Sequence, residues 1–193
     1  MSLDKYLIEH CSPTLATLKT ANMFSCRYES EKALKTAIDT WNEVFKDKGV
    51  ELIILKTENS LALIYVCRKG MLKNDLNKDG VKDFLSEFGY RNTDTDYAIN
   101  TLKRRLQAQK DFPHEIGIFL SYPLADVKGF IEQGSENCLC TGCWKVYCNE
   151  CEAQNTFSKF KKCREVYSRL YANGSRDILQ LRTRFIKSLP LTD

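Results

Sequence analysis

Residues 50–67 read V-E-L-I-I-L-K-T-E-N-S-L-A-L-I-Y-V-C. Two runs of β-branched and other apolar residues, 50–56 and 61–67, flank the polar stretch T-E-N-S. Adjacent strands joined by so short a link pair directly, so the segment predicts an antiparallel hairpin. A hairpin alone is not stable in water, and its apolar faces must be covered by other elements.

The rest of the chain offers helices for that purpose. Ser2 can cap a short helix through about His10, and Ser12-Pro13 predicts a fresh start with proline at the first helical position. Ser30 caps a longer helix. Its residues Ala33, Leu34, Ala37, Ile38, Trp41, Val44 and Phe45 share one face, and Gly49 ends it. Short helices are predicted near 69–77 and 80–88, with Gly89 as a stop. Another begins at Asp94 or Thr95, with Tyr97, Ala98, Leu102 and Leu106 inward. Pro113 and Pro123 each mark a helix start, and Gly134 closes that pair. W-K-V-Y at 144–147 predicts a short strand. A long helix follows from about Asn149 to Ala172, capped by Asn173-Gly174, and Ser175 starts a last helix to about Lys187. The expected architecture is α+β: one helix-rich domain over residues 1–193 around a small, mainly antiparallel sheet.

Hydrophobic residues make up 43% and charged residues 28%, as in soluble globular chains. No apolar run approaches the ~20 residues that span a membrane. The start, MSLDKYLIEHCSP, lacks the apolar core of a signal peptide. The expected location is cytoplasmic, where thiols stay reduced and disulfide frameworks are unusual. Net charge is +4, and residues 144–193 hold ten Lys/Arg against five Asp/Glu, or +5, which leaves −1 for residues 1–143. That basic quarter suits an acidic protein partner such as a flavodoxin. The total is too mild for a nucleic-acid footprint.

Five of the nine cysteines, Cys138, Cys140, Cys143, Cys148 and Cys151, lie within fourteen residues. Thiols so dense are ligands for a soft metal, a redox pair or a disulfide staple. Cys140-x-x-Cys143 and Cys148-x-x-Cys151 have the pair spacing of zinc or iron–sulfur knuckles. An extended W-K-V-Y would hold Cys143 and Cys148 roughly 16 Å apart. Sulfurs sharing one zinc lie within about 4 Å of each other. A strand there and a single four-cysteine site therefore exclude each other. The candidate metal ligands are then Cys140 and Cys143, completed by Cys138, Cys163 or a distant Cys11 or Cys26, with zinc or iron as the ion. Cys148 and Cys151 fall at a helix start, where thiols are acidified. Cys67 ends an apolar strand and reads as a small buried hydrophobe.

The two histidines are His10 and His114. A cysteine hydrolase needs a thiol, a histidine and an orienting group. Cys26 or Cys11 with His114, oriented by Glu115 or Asn22, supplies those types, loosely in papain-like order. Against this, Pro113-His114-Glu115 also reads as a plain helix start. No Gly-rich phosphate loop, G-x-S-x-G or H-E-x-x-H is present, and nine glycines do not suit a dinucleotide fold.

Three stretches together carry a resemblance: H-C-S-P-T-L-A-T-L-K-T-A-N-M-F-S-C, F-P-H-E-I-G-I-F-L-S-Y-P-L-A-D-V-K-G-F-I and G-C-W-K-V-Y. The chain resembles a family of bacterial proteins, mostly from anaerobes, known only as a domain of unknown function. The resemblance runs from about residue 4 to residue 180. It implies a cytosolic bacterial protein of one domain and supplies no catalytic residues. The first expectation is thus a cysteine-cluster protein that binds a soft metal or exchanges thiol and disulfide. The second is a Cys–His hydrolase or transferase, and the third a non-catalytic module for an acidic partner.

Overall fold

A computed structural model describes residues 3–108 and 111–174. The predicted hairpin is the heart of a three-stranded antiparallel sheet. It pairs β2 (Glu51–Glu58) with β3 (Leu61–Cys67), from Glu51 opposite Cys67 to Glu58 opposite Leu61. The link is shorter than the four polar residues suggested. Only Asn59 and Ser60 turn the chain, both left-handed (φ 50° and 60°), as a tight twisted hairpin requires. Thr57 and Glu58 join the ladder instead. The register slips between Ile54 and Lys56, which leaves Leu55 as a bulge.

The third strand, β1 (Ala21–Arg27), was not foreseen. It pairs with β3 across its whole length, so the order is β1-β3-β2. Alternation along the strands divides the core into two halves. One face presents Phe24, Cys26, Leu52, Ala62, Ile64 and Val66, and packs against α1 (Asp4–Leu15), α2 (Glu31–Phe45) and α8 (Glu150–Ala172). The other presents Ala21, Leu55, Tyr65 and Cys67. It is covered by α3 (Lys69–Leu76), α4 (Val81–Glu87), α5 (Thr95–Ala108), α6 (Ile116–Phe119) and α7 (Leu124–Gln133). Tyr65 reaches through this half and donates from Oη to the Phe119 carbonyl at 2.6 Å.

Two expected starts move. Helix α1 runs unbroken past Ser12-Pro13 to Leu15. Proline disturbs the carbonyl four residues earlier, here on the exposed Glu9, while Ser12, Pro13, Thr14 and Leu15 are all buried. Packing of that last turn outweighs the lost hydrogen bond. Arg68 satisfies its carbonyls: Nε donates to Thr14 O (2.7 Å) and an η-nitrogen to Leu15 O (2.8 Å). The helix expected at Pro113 begins at Ile116, and His114 sits in the preceding turn. The helix predicted from Ser175 to about Lys187, with Arg176, Arg182, Arg184 and Lys187, lies outside the described residues, as does Ser2. No helix among the described residues is long and apolar enough to cross a membrane.

Candidate functional site

The cysteine-rich segment folds as a small hairpin, β4 (Cys140–Thr141) with β5 (Lys145–Val146), clamped between α7 and α8. Glycine permits both contacts. A Cβ on Gly142 would lie 2.2 Å from the Phe157 ring, and one on Gly129 would lie 2.5 Å from Tyr147. Asp126, buried on α7, ties the segment down. One carboxylate oxygen accepts from Trp144 Nε1 (2.7 Å), and the other from the Tyr147 and Cys148 backbone N–H groups (2.7 and 3.0 Å). Trp144 stacks on Tyr122 at 4.9 Å between ring centres and meets Phe157 edge-on at 4.5 Å. The Tyr122 hydroxyl donates to the Cys143 carbonyl at 3.2 Å.

This clamping builds one wall of a cleft of about 540 Å³ between the hairpin, α1, β1 and α8. Cys143 and Gly142 line it from the hairpin, and Tyr122, Phe157, Phe160 and Met23 make its apolar sides. Lys19 lines it from the segment after α1. There Thr17 adopts a left-handed turn (φ 65°), and the Leu18 and Lys19 N–H groups both donate back to Pro13 O. That turn directs Lys19 inward, where it is only 4% exposed. Its ammonium stands 5.0 Å from the Tyr122 ring centre and 5.9 Å from that of Phe160. Burial pulls the Lys19 pKa down to about 8; Cys143 and Cys11 oppose the shift and Arg164 adds to it. His10, Lys161 and Arg164 also line the cleft, with Glu9 as the single acidic residue.

The candidate cysteines disperse. Cys143 faces the cleft beside Lys19. Cys140 lies against Glu150 and Gln154 with Cys138 nearby, and partial desolvation followed by the Glu150 charge raises its pKa. The Cys138 thiol has Ser135 O and Thr141 Oγ1 each at 3.7 Å. Cys163 does not come to the hairpin. It is fully buried with Cys11 and Cys26 in the first core half, and burial pushes its thiol up to about 12. The reason is its place on the inward stripe of α8, with Ala153, Phe160 and Tyr167. Among the described residues no three Cys, His, Asp or Glu side chains converge as a metal site. Cys148 contradicts the acidification expected at a helix start. Burial and the Asp126 carboxylate, to which it donates at 3.3 Å, push it up to about 11. Cys151 is exposed on the first turn of α8. Cys67 is buried, and its thiol is pushed up to about 12 by burial and then Glu51.

The structure does not bring the hydrolase candidates together. Cys26 lies on β1, not a helix, and Cys11 on α1; both face the first core half, and burial raises both thiols. His114 is on the other side of the sheet. There it meets Phe130 edge-on (5.0 Å) and lines a separate apolar cavity of about 400 Å³ with Met23, Leu120 and Val127. Neither proposed orienter serves it. Glu115 is fully buried and paired with Arg105 Nε, with Tyr90 Oη donating at 3.2 Å. Asn22 accepts from Thr14 Oγ1 at 2.8 Å.

Among known protein families, one matches residues 7–181. The chain belongs to DUF3793. That family is described as proteins of unknown function. No curated protein and no solved structure matches the chain. For this DUF3793 chain, the sequence reading missed Lys19, Tyr122 and Asp126. Lys19 stands in an ordinary polar stretch, L-K-T-A-N, and nothing local marks it as buried. Tyr122 and Asp126 fall inside the long middle motif, but their partners Cys143 and Trp144 are about twenty residues away.

Proposed function

We propose that this protein exchanges thiol and disulfide, with Cys143 as the reacting thiol. One observation carries the reading: Cys143 is the hairpin cysteine that lines a cleft with a buried ammonium, Lys19, and two further cations, Lys161 and Arg164. Reactive cysteines sit in electropositive, partly accessible surroundings of this kind, whereas structural ones are buried among apolar groups. Cys143 is half-buried; Cys11, Cys26, Cys67 and Cys163 are buried. In the exchange the Cys143 thiolate attacks a small disulfide R–S–S–R. A mixed disulfide Cys143–S–S–R forms, and RS⁻ leaves and takes up a proton. Cys140 has Glu150 as its neighbour rather than Lys19, so an external thiol resolves the mixed disulfide. The soft-metal half of the original expectation finds less support, because the thiols point to separate surroundings.

Timed labelling of the native, reduced protein with a small disulfide, read cysteine by cysteine in a mass spectrometer, tests the proposal. Cys143 should label first, ahead of the exposed Cys151, and Cys143→Ser should abolish the fast phase. Equal rates at Cys138, Cys151 and Cys143 would leave the cleft without a role in thiol chemistry.

A further inference from the structure

Buried lysines are rare without a carboxylate or other acceptor. Lys19 is 96% buried, from its 4% exposure, and among the described residues its ammonium has no hydrogen-bond or ion-pair partner. The faces of Tyr122 and Phe160 offset part of its desolvation. They accept no hydrogen bond of ordinary strength, so three N–H donors are left for whatever enters the cleft. Arg164 and Lys161 line the same cleft and also lack a carboxylate partner among the described residues. Glu9, on the rim, is engaged elsewhere, 3.7 Å from Lys5 Nζ. Asn22 uses its amide oxygen on Thr14, and its amide nitrogen is unpartnered. Of the polar side chains that remain, Lys19, Lys161 and Arg164 are cations, and His10, Asn22 and Ser158 are neutral groups able to donate.

We infer that the cleft is a binding site for a small organic anion, a carboxylate or phosphate whose charged group sits between Lys19 and Arg164 and whose flat apolar body lies against Tyr122 and Phe157. The charge of the walls sets the sign of the ligand. An ammonium that faces the cleft without a protein acceptor marks where the ligand's charged group sits, since an acceptor there makes charge-assisted hydrogen bonds with it. The volume, about 540 Å³, is within the range of small-molecule sites and exceeds what a bare inorganic anion fills. Aromatic and thioether walls from Tyr122, Phe157, Phe160 and Met23 then select a ligand with an apolar body. Anion binding requires no chemistry at Cys143 and stands apart from the thiol-exchange proposal.

Calorimetric titration of the full chain with benzoate, phenyl phosphate, inorganic phosphate and uncharged benzyl alcohol tests the inference. Benzoate or phenyl phosphate should bind saturably at one site, inorganic phosphate more weakly and benzyl alcohol not at all. The tighter of the first two identifies the charged group as carboxylate or phosphate. Lys19→Met should weaken binding by about tenfold or more, the loss of one charge-assisted hydrogen bond. If Lys19→Met does not fold by circular dichroism, Arg164→Gln decides, and it should weaken binding several-fold. The inference is overturned if neither aromatic anion binds saturably, if benzyl alcohol binds as well as benzoate, or if the deciding folded variant binds like the wild type. Loss of labelling at Cys143 with anion binding intact would sink the thiol proposal alone.

Discussion

The Lys19 ammonium lies 5.0 Å from the centre of the Tyr122 ring, and Tyr122 in turn donates its hydroxyl to the carbonyl of Cys143. One aromatic side chain thus joins the segment after α1 to the tip of the cysteine hairpin. The cation and the thiol line one cleft because both are positioned around that ring.

Lys19 makes stability depend on pH. Its folded pKa is about 8 against an ordinary 10.5, so between those values the unfolded chain binds more protons than the folded one. Stability therefore rises as pH increases from about 8 to 10.5, and the cost of the buried charge is fully present below pH 8. That cost is on the order of 3 kcal/mol at most. Lys19→Met should be more stable than wild type at pH 7, with the gap closing toward pH 10. Urea midpoints across that range check it, and a constant gap would contradict the assignment.

Asp126 holds the cysteine hairpin through Trp144, Tyr147 and Cys148. Asp126→Ala leaves four donors, the Trp144 indole, two backbone N–H groups and the Cys148 thiol, without their acceptor and should cost about 2–4 kcal/mol. Cys148, freed from the carboxylate that raises its pKa, should alkylate faster. Denaturation and cysteine labelling together distinguish this from a general loss of fold, in which Cys163 would label as well.

At Gly142, a methyl group would meet the Phe157 ring at 2.2 Å. Gly142→Ala should cost about 1–3 kcal/mol by overpacking. Trp144 packs on the same ring, so its fluorescence should shift in the native state. Adding Phe157→Leu should recover part of the loss, and an unchanged spectrum in Gly142→Ala would argue against the contact.

Ser60 is held at φ 60°, a conformation that glycine adopts without strain. With Asn59 before it, Ser60→Gly creates the Asn-Gly pair favoured in two-residue hairpins. It should stabilise the protein by about 0.5–1 kcal/mol, read as a higher thermal midpoint. A lower midpoint would show that the turn is not of this type.

Local sequence determined much of the scaffold. Strands β2 and β3, the amphipathic face of α2, the capped long helix α8 and the short strand after Cys143 follow from residue pattern, because period and caps act within a few residues. The α+β class followed too. Strand β1 did not, since A-N-M-F-S-C-R has a weak pattern and becomes a strand only by pairing with β3, some forty residues later. Pro13 misled for a similar reason: the local rule breaks the helix, and burial of its last turn keeps it. The cysteine spacing marked a dense thiol cluster but not the surroundings of each thiol. Those were decided by tertiary structure, in which α8 draws Cys163 into the core, Asp126 takes Cys148, and the turn after α1 brings a buried lysine to the cleft that Cys143 lines. Burial and charge at a thiol depend on distant segments, and no short stretch of sequence contains them.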